Sequence, residues 1–298
     1  MNNSSRRKFI RQCANVGALS MLTPLTYGLT RGSNSRAPAI FIGHGDPMNT
    51  IQESGFIREW HRIATLLAER EKPTAILCVS AHWQTPNTMV STTAGAGLIY
   101  DFYGFPKAMY ELEYPAPGFP QSHGMVSAVS SDAGIDADPS RGLDHGAWCV
   151  LSKLFPDADI PVFQLSLSRA YSAEQHYALA KDINVLRDRG VLIIGSGNLT
   201  HNMRSWQNDA SLGQTKLIHG WAQEFDQAVA QKIMQGDHKT LVRIAMERPS
   251  LFTMAHPTDE HYLPLIYTLG AQQKDDAIQF FAEGFEDGSF SMRSIFLS

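Results

Sequence analysis

From Ala37 onward, short apolar runs alternate with longer stretches in which apolar residues recur at three- and four-residue intervals. The runs Ala39–Ile42, Thr74–Ser80, Pro161–Ser166 and Val191–Gly195 predict strands, and Thr74–Ser80 is apolar enough for burial on both faces. Thr88–Thr92 predicts a further strand. Phe56–Glu69 predicts an amphipathic helix with Ile57, Trp60, Ile63, Ala64 and Leu67 on one face. Helices are also predicted over His123–Ala133, Ala147–Leu154, Ser172–Arg189, Leu217–Gln235, Lys239–Ala245 and Tyr262–Leu269. Ser172 is a good cap, and Glu174 suits the first turn that follows it. Ala277–Glu283 and Ser289–Phe296 read as closing strands, suited to an antiparallel edge. This alternation predicts an α/β fold, a single domain with a mostly parallel or mixed central sheet covered by helices on both faces. No composition shift marks a second domain, so residues 36–298 read as one unit.

Composition narrows the function classes. Of 298 residues, 43% are hydrophobic and 18% charged, with net charge -4. No basic stripe appears, and aromatics are not interleaved with Lys or Arg, which argues against a nucleic-acid partner. Three cysteines exclude a disulfide scaffold and a cysteine-rich zinc site; Cys78 and Cys149 read as small buried apolar residues. Residues 1–35 stand apart. Ser5-Arg6-Arg7-Lys8-Phe9-Ile10 precedes a modestly apolar stretch, Cys13–Leu29, the pattern of a twin-arginine export signal and hence of a periplasmic protein. Gly17, Pro24 and Gly28 make that stretch a poor membrane span.

Among 11 histidines, four sit where a predicted strand or loop meets a small-residue turn. His44 lies in Gly43-His44-Gly45-Asp46-Pro47, His82 in Ser80-Ala81-His82-Trp83, His201 after Gly195-Ser196-Gly197-Asn198, and His261 in His256-Pro257-Thr258-Asp259-Glu260-His261. The first three each follow an apolar run, and in open α/β sheets sites form beyond the carboxyl ends of strands. Imidazole is the commonest protein ligand for transition metals, so convergence of these side chains predicts a mononuclear metal centre. His256 competes with His261 for the last ligand position. Asp259 and Glu260 read first as helix-start carboxylates behind Thr258. His61, His176, His219 and His238 read as polar helix surface without a role.

His145, in Asp144-His145-Gly146, projects from a turn before a helix and suits acid/base work, as do His201 and Asn202 on their small-residue loop. That loop lacks the dinucleotide fingerprint, so no nucleotide site is expected. The aromatic segment Tyr100–Gly118 suggests a pocket wall, with Trp83, Phe102, Tyr103 and Phe105 as candidate ring contacts.

Taken in order, these segments resemble the class III extradiol ring-cleavage dioxygenases, the protocatechuate 4,5-dioxygenase superfamily, and within it the 4,5-DOPA dioxygenase family. The matching stretches are Gly43–Asn49, Ser80–Trp83, Asp101–Pro106, Tyr114–Gly118, Gly142–Trp148, Gly195–Asn202 and Pro257–Leu265, spread over the whole chain after Ala37. The resemblance implies one Fe(II), or Zn2+, per chain, with His44, His82 and His261 as ligands. It implies His201 and His145 as an acid/base pair, with His201 able to approach the metal as a fourth ligand. The implied partners are a small-molecule catechol and O2, the product a muconic semialdehyde. Two departures stand out: the family usually has Ser where this chain has Asp46, and its members are usually cytoplasmic. A zinc hydrolase is the first alternative, since three His ligands and an open position also activate water. A non-catalytic metal-binding scaffold is the second, although it needs no acid/base pair.

Overall fold

The computed structural model describes residues 36–298 except 96 and 131–133; the export-signal reading of residues 1–35 and the end of the predicted helix at 131–133 lie outside them. Among the described residues the main sheet has six strands: β1 (Ala39–Gly43), β2 (Ala75–Ser80), β3 (Val162–Gln164), β4 (Val191–Gly197), β5 (Ile278–Phe281) and β6 (Ser294–Leu297), in the order β3-β2-β4-β1-β6-β5. The first four run parallel; β6 lies antiparallel to β1 and β5 antiparallel to β6. The sheet is therefore mixed, with the predicted antiparallel edge in place.

Alternation along each strand divides the core in two, because successive side chains point to opposite faces. Phe41, Leu77, Val79 and Ile193 face one layer, with Leu179 and Ile183 of α3 (Ala173–Ile183) and Leu265 and Leu269 of α7 (Leu263–Gly270). Ile40, Ile42, Ile76, Cys78, Leu192 and Ile194 face the other, with Ile57, Trp60, Ile63 and Leu67 of α1 (Gly55–Ala68) and Trp148 and Leu151 of α2 (His145–Leu154). Ser54 caps α1 by accepting from Ile57 N–H, and Ser172 forms a reciprocal capping box with Gln175. Two intervening helices, α4 (Met203–Ser211) and α6 (Pro249–Ala255), have no counterpart among the predicted elements; α5 (Gly220–Met234) does.

Several expectations need adjusting. The predicted strand at Thr88–Thr92 forms over Met89–Ser91 but pairs with Asp136–Asp138 outside the main sheet. Near His123, the described helix is Ser122–Ser127. The Ser289–Phe296 run breaks into Phe290–Ser291, half of a hairpin with Phe285–Glu286, and β6. His176 is not surface at all. It is fully buried against Tyr267, whose hydroxyl lies 2.9 Å from its Nδ1. Burial pulls its pKa from 6.5 to about 4. An unfolded chain thus binds a proton that the native state refuses, so stability from this group is complete above pH 6.5 and lost as pH falls toward 4. Urea unfolding at pH 7 and pH 5 should show a loss of about 2 kcal/mol from this group, and His176→Gln should flatten that part of the profile. Among the described residues no helix is long and apolar enough to cross a membrane.

Candidate metal centre

Because β1, β2 and β4 are parallel, their carboxyl ends share one edge. His44 is one residue beyond β1, His82 two beyond β2, and His201 follows the loop after β4. His261 arrives from the opposite direction, two residues before α7. Its carbonyl accepts from Asn198 N–H at 3.0 Å, and a Cβ at Gly197 would stand 2.2 Å from that oxygen. Glycine at 197 is what lets the His261 segment close over β4. One ligand atom from each of His44, His82 and His261 lies within 4.8 Å of the other two, and the Nε2 atoms of His44 and His82 are 3.2 Å apart.

The remaining ring nitrogens settle which atoms can coordinate. Ser196 Oγ spends its single hydrogen on the Gly146 carbonyl at 2.5 Å, so it accepts from His44 Nδ1–H at 3.0 Å. His261 Nδ1 faces Glu260 Oε1 at 3.0 Å, and His82 Nδ1 faces Asp101 Oδ2 at 3.5 Å. The His44 and His261 bonds place the proton on Nδ1 and leave a lone pair on Nε2, and the nearby Asp101 carboxylate favours the same tautomer for His82. His261 Nε2 is buried without a hydrogen-bond partner among the described residues. Burial first, and the neighbouring imidazoles next, hold His44 and His261 well below the ordinary histidine range and His82 at about 4. Three neutral imidazoles thus turn lone pairs toward one another. In that tautomer the His44 and His82 lone pairs stand 3.2 Å apart, an arrangement that a cation between the rings would relieve. The set fits a divalent transition ion, each ligand braced by a hydroxyl or carboxylate behind it.

His145 opens α2, whose N-cap Asp144 accepts from Ala147 N–H. The fully buried Asp144 carboxylate also takes Ser80 Oγ at 2.6 Å, Arg141 at 2.7 Å and Gln164 at 2.8 Å. The His145 ring lies 3.9 Å from that of His82. Asp101 serves both. One oxygen is 2.9 Å from His145 Nδ1 and accepts its backbone N–H at 2.9 Å, while the other faces His82. Burial works to raise the Asp101 carboxyl, yet the two imidazoles outweigh it and hold it at about 2. Sequence reading missed this role. The signal was an acid at the start of the aromatic segment, and nothing in the chain order says which histidines it meets. Asp101→Asn should weaken metal binding or turnover by about 10- to 100-fold, measured by metal competition and oxygen uptake.

His201 stacks on His261, centroids 3.4 Å apart and planes 4° from parallel. It forms a separate close triplet with Glu260 and His261, beside the three ligand candidates and not among them. Burial, then repulsion from His256, His82 and His145, pulls it to about 3, so it stands as a neutral base. The rival His256 is committed elsewhere: its Nε2 meets the Leu199 carbonyl at 2.8 Å, among Phe225, Phe252 and Tyr262. Phe102 packs edge-on against His145 and Phe105. Trp83 is buried under the Arg141 guanidinium. Two expectations fail. Tyr103 is 92% exposed and lines nothing. Asn202 caps α4 through its oxygen and holds the Met254 carbonyl through its nitrogen, so its polar ends are used in the scaffold.

Residues 37–294 match the family described as the catalytic LigB subunit of aromatic ring-opening dioxygenase. The chain belongs to this family, and the site is that of a metal-dependent extradiol ring-opening dioxygenase. It is 38% identical over 280 residues to the 4,5-DOPA dioxygenase extradiol of Escherichia coli (strain K12), covering 92% of this chain and 99% of that one. The 4,5-DOPA dioxygenase extradiol of Beta vulgaris is 33% identical over 261 residues, 85% of this chain and 94% of its own. A crystal structure of an uncharacterized Escherichia coli K12 protein superposes with a TM-score of 0.73 at 32% identity, covering 88% of this chain and 100% of that one.

Proposed function

We propose that the chain holds one Fe(II) on His44, His82 and His261 and cleaves a DOPA-like catechol beside its two hydroxyls, with O2 as oxidant. The observation that carries this reading is the convergence of a ring nitrogen from each of His44, His82 and His261 with two further imidazoles, His145 and His201, at their side. When bound, the ion supplies Lewis acidity and the electrons that let O2 react with a closed-shell ring. Neutral ligands leave it its full positive charge, which favours a catecholate. His201, neutral and beside His261, accepts a catechol hydroxyl proton. His145, held by Asp101, donates a proton as the ring opens. Phe102 and Phe105 keep water from that side and offer faces for the ring. One aromatic C–C bond breaks and both atoms of O2 enter the product, a muconic semialdehyde.

The test is to strip the metal, reload anaerobically with Fe(II) or Zn2+, and add L-DOPA or simple catechols in an oxygen electrode. Oxygen uptake matched by a yellow ring-opened product with Fe(II) supports the proposal. Ester or amide hydrolysis by the zinc form without oxygen uptake would replace it by the hydrolase reading. The Arg6-Arg7 segment supports twin-arginine export to the periplasm; a reporter fused behind residues 1–35 that stays cytoplasmic would refute that.

A further inference from the structure

The hairpin formed by Phe285–Glu286 and Phe290–Ser291 carries none of the motifs that define the site, yet it touches both halves of it. At one end, Glu286 reaches into the turn that follows His44. Its Oε2 accepts Asp46 N–H at 2.6 Å. Asn49 Nδ2 donates to Oε1 at 2.9 Å and to Oε2 at 3.2 Å, and the same nitrogen lies 3.5 Å from the His44 carbonyl. The Asp46 carboxylate is turned back on its own chain, accepting Met48 N–H at 2.7 Å. The turn therefore supplies donors inward, and Glu286 is the acceptor that fills it. Gly45 completes the fit. It takes φ +59°, and a Cβ there would stand 2.2 Å from Glu286 Oε2. The carboxylate occupies the space a side chain would need. At the other end, Ser291 N–H donates to Thr200 Oγ1 at 2.9 Å, Asn198 Nδ2 donates to the Ser291 carbonyl at 3.0 Å, and the Phe290 ring lies 5.0 Å from that of His201.

We infer that Glu286 is a positioning residue for metal binding: by holding the Gly45–Asn49 turn it aims His44 Nε2 at the other two ligands. The inference rests on His44 being a ligand, as proposed above. Loops are the mobile part of an α/β scaffold; His44 N–H makes the last bond to β4, donating to the Gly197 carbonyl at 3.0 Å, and the turn begins at the next residue. Gly197 holds the His44 N–H and Ser196 fixes the ring about its own axis; Glu286 fixes the turn on the carbonyl side of His44.

The experiment uses apo protein titrated with Zn2+ against a chromophoric chelator, with unfolding temperatures measured in parallel. Glu286→Ala should lower affinity by about 10- to 100-fold, the range seen when partners behind a ligand are lost. Glu286→Gln should bind closer to wild type than Glu286→Ala does, since its oxygen keeps the Asp46 bond even though the Asn49 amide cannot turn over without facing its oxygen to the His44 carbonyl. A purely structural residue would lower the unfolding temperature of Glu286→Ala and leave affinity unchanged, and that result overturns the inference. Should Glu286→Ala not fold, Glu286→Asp, too short to reach both donors, is read the same way. His44→Ala is the reference. If it abolishes binding while Glu286 variants bind normally, the positioning role alone falls; if His44→Ala binds normally, the metal centre falls with it.

Discussion

His44→Ala is expected to abolish ring opening and to leave the purified protein without stoichiometric metal. The reason is geometric. Among the described residues His44, His82 and His261 form the all-histidine triplet with ligand atoms within 4.8 Å of one another, and His44 alone reaches it from the end of β1. Loss of one leaves two neutral imidazoles, too few to outcompete water and free chelators for a divalent ion. A fall of at least about 1,000-fold in metal affinity is expected. Turnover should follow it to background. The fold itself should survive, because Ser196 retains its bond to the Gly146 carbonyl and the lone-pair repulsion with His82 disappears. The stabilisation that added metal gives the wild type should vanish in the variant, since binding to the native state alone raises stability. Inductively coupled plasma analysis and a melting curve with and without metal read both effects. One metal per chain in His44→Ala would end the three-histidine account.

The second large effect is expected at His201. His201→Ala should retain metal close to stoichiometric and lose about 100- to 10,000-fold in kcat, the usual worth of a positioned general base. It lies flat on His261, so it presents its face to a ligand and keeps its nitrogens for substrate. Its pKa of about 3 means that it enters the reaction unprotonated at any ordinary working pH. Metal content separates this variant from His44→Ala, and a kcat near wild type would remove His201 from the chemistry. A loss of metal equal to that in His44→Ala would instead make it a ligand.

The strands and the two-faced sheet were legible because they are buried runs of Ile, Val, Leu and Phe, and burial on both faces leaves no other pattern available. Helices α4 and α6 were not. The first is mostly polar with Asp209 as its one buried residue, and the second is a seven-residue segment behind Pro249; neither carries a long apolar period. His176 was misread for a related reason. One polar residue in an amphipathic helix looks like surface until its partner is known, and Tyr267 is 91 residues away.

At the site, chain order alone determined that His44, His82 and His201 follow strands and that His145 and His261 stand at or just before helix starts. Strand direction then sends the first three to one edge, because parallel pairing leaves no alternative. The family resemblance already pointed to His261 over His256; only the tertiary structure showed His256 bonded to the Leu199 carbonyl, gave Tyr103 to solvent and Asn202 to a helix cap, and placed Asp101 and Glu286 behind the histidines. Those assignments depend on which groups face each other across tens to hundreds of residues. A hydrogen-bond partner leaves no local mark on the sequence, whereas a buried strand writes its environment into every residue.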